Sequence, residues 1–329
     1  MNQQVSQKMI KTPTYDDIYQ TQSLLTRYLL RTPLIHSPPL SALSGAEVWL
    51  KCECFADIGS FKARGALACV LQLSPAQIAQ GLICASTGNH GAAMAWAARQ
   101  VKGTCTVVAP IGTPEIKCNN MRNAGAHLVL AGADWGDSCQ LARELAAREG
   151  LLYLEDGEDP WIMAGAGTVG LEIVQALPTT QAILIPVGGG NLIAGCALAT
   201  KTAQPAPTPI QIIGVQSDAA PAVTESMRQK RIVQRPTTTF AGGMATTAPV
   251  PMAFAVMQHL VDDMVLVSEQ ALLEAIGHLV RAHGIVVEGA GAAALAALLH
   301  DAHRFAGQTV ALVLSGRNLD VASLRTALG

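Results

Sequence analysis

A lysine among small and apolar neighbours is the first candidate for chemistry in this chain. Lys62 lies in the run Gly59-Ser60-Phe61-Lys62-Ala63-Arg64-Gly65-Ala66, just after a predicted strand. The start of a helix and a partly dry pocket both disfavour the charged ammonium, so an amine in this setting is suited to forming a Schiff base. An ordinary surface lysine is the alternative interpretation.

Three consecutive glycines form a candidate anion site. Gly188, Gly189 and Gly190 follow an apolar run predicted to be a strand, and Asn191 and Leu192 open a predicted helix. Backbone N–H groups at a helix N-terminus attract anions, and glycine lets a phosphate approach them closely. The spacing matches neither G-x-G-x-x-G nor a Walker loop, which disfavours a nucleotide and favours a lone phosphate monoester. A tight turn needed only for packing would also explain the glycines.

A third strand-to-helix junction carries hydroxyls and an amide. It has the sequence Ser86-Thr87-Gly88-Asn89-His90-Gly91. Its side chains and exposed backbone N–H groups are able to hold a carboxylate and a phenolic oxygen. Helix capping alone would also explain Ser86 and Thr87.

Taken together, these motifs resemble those of fold type II pyridoxal-5′-phosphate (PLP) enzymes, above all catabolic threonine dehydratases and serine racemases. The resemblance extends from about residue 15 to residue 320. The matching runs, in the order and spacing of that family, are Ser60-Phe61-Lys62-x-Arg64-Gly65-Ala66, Thr87-Gly88-Asn89-His90-Gly91, Ala164-Gly165-x-Gly167-Thr168-x-Gly170-x-Glu172-Ile173, Gly188-Gly189-Gly190-Asn191-Leu192, Val287-Glu288-Gly289-Ala290-Gly291 and Ser315-Gly316-Arg317-Asn318.

The resemblance implies a role for each matching residue. Lys62 would carry PLP as an imine and move the substrate Cα proton, and Thr87 would stand on the opposite face of Cα, where serine racemases have a serine. The implied cofactor-binding residues are Phe61 beside the ring, Lys62, Asn89 at the ring 3′ oxygen, Gly188, Gly189, Gly190, Asn191 and Leu192 at the phosphate, Gly243, Glu288, and Ser315 at the ring nitrogen. The implied residues around the substrate carboxylate are Ser86, Thr87, Gly88 and His90.

The serine at the ring nitrogen has a chemical consequence. A hydroxyl does not protonate the ring as an aspartate would, so the cofactor is a weaker electron sink and elimination is favoured over transamination. The resemblance therefore implies loss of water from a β-hydroxy α-amino acid, giving a 2-oxo acid and ammonia. The substrate would be threonine, serine or a bulkier analogue such as 3-phenylserine. An amino acid racemase of the serine racemase type and a non-catalytic PLP- or anion-binding protein are the alternatives.

Four positions depart from the pattern of the family. The bulkier hydroxyl of Thr87 works against efficient racemisation. Gln216 stands where a metal-binding glutamate is expected, so no metal site is expected. Gly242 replaces a frequent aspartate, which would enlarge the pocket or make it less polar. Arg317 replaces a glycine, and either adds positive charge near the cofactor edge or points to solvent.

Short apolar strands alternate with longer helices along the chain, and these elements must position the candidate residues. Strands are predicted at 48–55, 82–85, 105–109, 127–130, 151–154, 182–187, 210–215, 264–267 and 309–314. Helices are predicted at 61–73, 90–100, 113–124, 137–149 and 191–202, and from a Ser268 cap to His283, with Gly284 closing the last one. This alternation predicts an α/β protein with parallel sheets covered by helices on both faces. Ligands bind at the carboxyl ends of strands in such folds.

The resemblance implies a two-domain, tryptophan synthase β-like fold with twisted, mainly parallel sheets. Residues 1–52 and 154–329 would form the large PLP-binding domain. Residues 53–153 would form a smaller inserted domain, which is mobile, carries the substrate-carboxylate loop and closes to exclude water. Because the chain ends at Gly329, soon after Ser315, we expect no additional C-terminal regulatory domain.

The composition excludes several classes of partner. The chain has 22 basic and 24 acidic residues, no basic stripe and 4% aromatic residues, so we expect no nucleic acid. No apolar run reaches ~18 residues, and residues 1–11 lack an apolar signal core, so we expect no membrane segment and no secretion. The eight cysteines form no C-x-x-C pair and are expected to be buried and reduced. We therefore expect a cytoplasmic enzyme and, from the family, a homodimer.

Overall fold

The computed structural model describes residues 12–155, 157–202 and 209–329; the expectation about secretion rests on residues 1–11 and lies outside them. The helices in these ranges are α1 (Tyr15–Leu25), α2 (Pro38–Ser44), α3 (Lys62–Val70), α4 (Pro75–Ala79), α5 (Asn89–Gln100), α6 (Glu115–Ala124), α7 (Trp135–Glu149), α8 (Pro160–Ala176), α9 (Asn191–Lys201), α10 (Ala222–Gln229), α11 (Pro251–Leu260), α12 (Glu269–His283), α13 (Gly289–His300), α14 (Ala302–Phe305) and α15 (Val321–Leu328). The strands are β1 (Leu34–His36), β2 (Glu47–Lys51), β3 (Leu82–Ala85), β4 (Cys105–Ala109), β5 (Ala126–Leu130), β6 (Leu152–Tyr153), β7 (Ala182–Pro186), β8 (Gln211–Ser217), β9 (Asp263–Val267) and β10 (Thr309–Val313).

These strands form two sheets. The first has the order β1-β2-β10-β7-β8-β9, in which β1 is antiparallel to β2 and the other pairs are parallel. The second has the order β5-β4-β3-β6, and its pairs are parallel. The predicted α/β class with mainly parallel sheets is confirmed.

Both faces of the six-stranded sheet are buried. Successive side chains of a strand point to opposite faces, so Ile183 and Ile185 of β7 enter one apolar cluster and Leu184 enters another. Helix α9 contributes Ile193 to the first cluster, and α13 contributes Leu295 to the second. This double cover explains why the central strands β7 and β10 are nearly continuous apolar runs rather than alternating with polar residues.

Helices α3 and α8 pack very closely, and this contact fixes the start of α3. A Cβ on Gly65 would lie 2.7 Å from the carbonyl oxygen of Ile162, and a Cβ on Gly165 would overlap the carbonyl of Arg64. Only glycine at both positions allows this approach. Because Lys62 is the first residue of α3, the same contact fixes Lys62 in the fold.

A buried ionic network adds a second anchor for α3. The Arg64 guanidinium donates to Glu53 and to Glu172 at 2.8 Å each, and Lys51 Nζ donates to Glu172 at 2.6 Å. Burial raises the pKa of the Glu172 carboxyl, but the charges of Arg64 and Lys51 outweigh burial and hold it below its usual value. Glu172 is therefore ionised, and each of the two carboxylates has a cationic partner.

The element boundaries agree with the sequence where local signals are strong. Helix α12 has Ser268 as its N-cap and the left-handed Gly284 as its C-cap, as predicted. The strand predicted at 48–55 ends at Lys51, and a 3₁₀ turn at Glu53–Phe55 follows because the Glu53 side chain turns inward to Arg64. The helix predicted at 61–73 is shorter and is followed by α4.

Two further features concern the expectations drawn from composition. All eight cysteines lie within the described ranges and are buried, as expected, and none of them forms a disulfide. Within the described ranges, no helix is long and apolar enough to cross a membrane.

Candidate active site

A cavity of about 860 Å³ lies beyond the carboxyl ends of β3, β7 and β10. This is the edge at which ligands bind in parallel α/β sheets. The cavity brings together all of the residues selected from the sequence, which are Phe61, Lys62, Ser86, Thr87, Gly88, Asn89, His90, Gly188, Gly189, Gly190, Asn191, Leu192, Gly243, Glu288 and Ser315.

Lys62 is held against the loop that contains Ser315. The Phe61 backbone N–H donates to the Ser315 carbonyl at 3.0 Å, and Ser60 pairs with Gly316 in an isolated antiparallel bridge. Lys62 is half-buried, and its Nζ lies 5.8 Å from the centre of the Phe61 ring. The amine therefore faces the cavity from a turn that is fixed on both sides.

Hydrogen bonds to Ser86 hold the loop after β3 in shape, and the next residue of the loop, Thr87, is exposed at the cavity. The buried Ser86 Oγ accepts hydrogen bonds from the backbone N–H groups of Gly88 at 3.2 Å and Gly91 at 2.9 Å. Gly88 caps α5 without a side-chain hydrogen bond, and Thr87 is exposed at the cavity. The N-terminus of α5 is thus available to an anion, whereas the Ser86 hydroxyl already serves the loop.

Asn89 and Glu288 meet inside the cavity. Asn89 Nδ2 donates to Glu288 Oε1 at 2.8 Å, and Asn89 Oδ1 accepts from Asn318 Nδ2 at 2.7 Å. Burial raises the pKa of the Glu288 carboxyl to about 7, although the hydrogen bond from Asn89 and the charges of Lys117 and Lys62 partly oppose that rise. Glu288 is therefore a carboxyl that titrates near neutral pH.

The glycine loop after β7 forms a cradle that only glycine allows. A Cβ on Gly188 would lie 2.5 Å from the Gly243 carbonyl oxygen. Gly190 has φ +107°, and a Cβ there would lie 2.8 Å from Met257 Sδ. Gly190 caps α9 without a side-chain hydrogen bond. In the described part of the chain, the N–H groups of Gly188 and Gly189 donate to no other residue.

These groups fit the phosphate of PLP. Backbone donors converge at the N-terminus of an eleven-residue helix, and no side chain fills the cradle. The hydroxyl of Thr237, which also lines the cavity, is buried without a hydrogen-bond partner among the described residues. An oxygen-rich ligand would satisfy it.

Sequence reasoning missed several residues that line the same cavity. They include Lys117, Trp135, Arg143, Glu155 and Thr237. Arg143 and Glu155 pair with each other at 2.9 Å near the surface. Lys117 could have been found from topology, since α6 follows β4, which lies beside β3 in the sheet.

Three positions that depart from the family pattern now have a structural setting. Gly242 lines the cavity, and Lys117 Nζ lies 2.7 Å from the position that a Cβ at residue 242 would occupy. Arg317 is exposed and donates to the Cys54 carbonyl at 2.9 Å, away from the cavity lining. Gln216 Oε1 accepts from the backbone N–H and the hydroxyl of Thr224. Over the described ranges, no group of three or more His, Cys, Asp or Glu side chains gathers as a metal site.

Comparison with known proteins gives one consistent picture. The family described as "Pyridoxal-phosphate dependent enzyme" matches residues 25–316. The L-threonine ammonia-lyase of Geobacter sulfurreducens is 39% identical over 94% of this chain and 77% of its own length. The L-threonine ammonia-lyase of Thermotoga maritima is 36% identical over 94% of this chain and 76% of its own.

Solved structures agree with these relatives. Maize serine racemase superposes with a TM-score of 0.90 at 28% identity, covering 97% of both chains. The processed threonine deaminase isoform 2 of Solanum lycopersicum has a TM-score of 0.88 at 31% identity, covering 97% of this chain and 90% of its own. The predicted fold type II architecture, PLP as cofactor and the predicted class of PLP-dependent lyase are confirmed. The chain belongs to the family of pyridoxal-phosphate-dependent enzymes.

Proposed function

We propose that this enzyme removes water from threonine and serine and releases a 2-oxo acid and ammonia. The observation that carries the proposal is one cavity that contains the Lys62 amine, an open helix N-terminus at Gly88 and the glycine cradle at Gly188–Gly190. Relatives named L-threonine ammonia-lyase, at 36% and 39% identity, support this reaction over others.

The chain's own residues would hold the cofactor at both its phosphate and its ring. In the proposal, the N–H groups of Gly188 to Leu192 would bind the phosphate, the Ser315 hydroxyl would contact the ring nitrogen, and Asn89 would contact the ring oxygen. Phe61 would pack beside the ring, with Gly243 and Glu288 nearby. When bound, PLP supplies the electron sink that stabilises negative charge at the substrate Cα.

The substrate is oriented by its carboxylate and deprotonated by Lys62. The N-terminus of α5, with Thr87, Gly88 and the buried His90, receives the carboxylate, and Ser86 keeps that loop in shape. Lys62 Nζ takes the proton from Cα, and hydroxide leaves from Cβ. Hydrolysis of the remaining enamine gives the 2-oxo acid and ammonia. A bulkier substrate such as 3-phenylserine stays a prediction.

Racemisation is the second candidate, since maize serine racemase has the same fold at a TM-score of 0.90. Thr87 would then have to deliver a proton to the face of Cα opposite Lys62. Its methyl group crowds that position, so we expect elimination to exceed racemisation. A protein that only binds PLP would also hold it through a lysine, so we place that alternative last because the relatives at 36% and 39% identity are named L-threonine ammonia-lyase.

Domain organisation and assembly complete the proposal. The strands β3 to β6 all lie within residues 82–153 and form their own sheet, which supports residues 53–153 as a smaller domain between 1–52 and 154–329. We propose that this domain moves to close the cavity and exclude water. A homodimer and a cytoplasmic location are also proposed, from the family alone.

Product analysis tests the function. The PLP-loaded enzyme is given L-threonine, and 2-oxobutanoate, ammonia and D-threonine are measured over time. We expect equal amounts of 2-oxobutanoate and ammonia and much less D-threonine, with none of these products from Lys62→Ala. Faster formation of D-threonine would favour the racemase. No product with any β-hydroxy amino acid, despite bound PLP, would overturn the proposal.

A further inference from the structure

Lys117 brings a positive charge into the cavity from the helix that follows β4. The side chain is half-buried, and its stem passes over the carboxylate loop, where a Cβ on Gly88 would lie 3.4 Å from Lys117 Cδ. Its ammonium reaches the opposite wall, where a Cβ on Gly242 would lie 2.7 Å from Nζ. The charge therefore lies between the substrate loop and the turn Gly242–Met244.

The described residues do not neutralise this charge. Position 242 has no side chain, and among the described residues no carboxylate forms an ion pair with Lys117 and no acceptor bonds it. Glu155 is paired with Arg143, and Glu158, which also lines the cavity, forms no ion pair with Lys117. The Lys117 charge lowers the pKa of Glu288, but burial outweighs it and raises that pKa to about 7. Glu288 Oε1 also already accepts a hydrogen bond from Asn89.

A half-buried ammonium without a counter-charge is costly, so its place in the cavity indicates an anionic ligand group. The two anions required by the proposed function already have donors of their own. The glycine cradle and the start of α9 serve the phosphate, and the start of α5 serves the α-carboxylate. Lys117 is left for a third anion, carried by the rest of the substrate.

We propose that Lys117 binds a second carboxylate on the substrate Cβ, so that the enzyme prefers a β-hydroxy dicarboxylic amino acid to threonine. The smallest such compound is 3-hydroxyaspartate, in which a carboxylate replaces the methyl group of threonine. This inference rests on the proposed function and concerns the substrate of the same site. The Cα–H and Cβ–O bonds break and one water leaves. One water then returns, and the net products are 2-oxobutanedioate and ammonia.

The first test compares substrates in the holoenzyme. We expect kcat/KM for L-3-hydroxyaspartate, supplied as both Cβ isomers, to exceed that for L-threonine. Lys117→Met keeps the apolar part of the side chain and removes the charge. In this variant we expect kcat/KM for 3-hydroxyaspartate, divided by kcat/KM for threonine, to fall about 10- to 100-fold, because a charge-assisted hydrogen bond is lost.

A matched pair at position 242 gives a second variant that leaves Lys117 in place. Gly242→Asp puts a carboxylate beside the flexible end of Lys117, and we expect it to lower the ratio as Lys117→Met does. Gly242→Asn has the same size and no charge, so it should retain most of the preference. Thermal unfolding of each variant, measured alongside, identifies any that fail to fold.

Ligand binding provides a readout that is independent of turnover. By calorimetry on the holoenzyme, succinate should bind at least about tenfold more tightly than butyrate, and Lys117→Met should remove the difference. If the wild type bound succinate and butyrate with equal affinity, the proposal would be overturned. It would also be overturned if Lys117→Met lowered kcat/KM for both substrates by the same factor, or if it weakened PLP binding instead.

The binding test separates this inference from the proposed function. The wild type could turn over threonine but show no preference for 3-hydroxyaspartate over threonine or for succinate over butyrate. In that case the inference would fail and the dehydratase function would stand. If succinate bound through Lys117 but no β-hydroxy amino acid reacted, the dianion site would stand while the assigned reaction failed.

Discussion

Asn89 Nδ2 donates a hydrogen bond of 2.8 Å to Glu288 Oε1, and this bond joins the loop after β3 to the start of α13 across the cavity. The two residues are 199 positions apart in the chain. Glu288 is half-buried, with a pKa raised by burial to about 7 against a usual 4.5. Its protonation is therefore linked to the stability of the fold.

Glu288→Gln should change how stability depends on pH. The folded protein keeps the Glu288 proton up to about pH 7, whereas the unfolded chain loses it near pH 4.5. The folded state thus binds more protons in this window, and the free energy of unfolding falls as the pH rises through it. The shift corresponds to at most about 3 kcal/mol.

Urea unfolding of the cofactor-free enzyme at pH 5 and pH 8 measures this contribution. The glutamine side chain of Glu288→Gln carries no titrating proton, so the variant should lose less stability between the two pH values than the wild type does. Glu274→Gln on the exposed face of α12 is the matched control and should behave as the wild type. An equal pH dependence in wild type and Glu288→Gln would contradict the raised pKa.

Arg64→Met should be strongly destabilising. It leaves Glu53 and Glu172 buried without their main cationic partner, and breaking such a pair typically costs about 3–5 kcal/mol. Arg122→Met is the control, because its 3.0 Å contact with Glu115 is exposed and is worth at most about 1 kcal/mol. Urea unfolding compares the two variants, and similar losses would show that the network does not anchor α3.

Gly190→Ala should weaken PLP binding. The added Cβ would lie 2.8 Å from Met257 Sδ, and the backbone at φ +107° disfavours alanine. We expect the dissociation constant of PLP to rise by at least about tenfold, since a displaced loop loses charge-assisted bonds to the phosphate. Gly150→Ala has a positive φ of 71° and open space around its Cβ, so it should cost stability, about 1 kcal/mol, without affecting PLP.

Equilibrium titration of each variant with PLP gives the dissociation constants. If Gly190→Ala bound PLP as tightly as Gly150→Ala, the glycine loop would not hold the phosphate. The assignment of Gly188 to Leu192 would then have to be withdrawn.

The sequence predicted those parts of the fold that carry local signals. The buried strands β3, β4 and β7 are continuous apolar runs, and α12 has a serine cap and a closing glycine. Helices α8 and α13 were not assigned, because glycine and alanine packed on all sides leave no amphipathic period. Their role becomes visible only when α3 is seen against Gly165.

The site was predictable where family motifs mark it and not elsewhere. The motif residues that were given a role toward cofactor or substrate all line one cavity, because strands of a parallel sheet end at the same edge. Lys117 lies in no motif, and its position next to Gly242 depends on a contact between residues 125 positions apart. Glu288 does lie in a motif, but its raised pKa arises from burial that the sequence does not show.

Borohydride reduction followed by peptide mass spectrometry tests the central claim most directly, because two lysines, Lys62 and Lys117, are among the described residues that line the cavity. The holoenzyme should show a visible absorbance band that reduction removes, and the pyridoxyl group should then be found on Lys62. Lys62→Ala should show neither the band nor the label. A label on Lys117, or a reduced protein that carries no label although PLP was bound, would contradict the account.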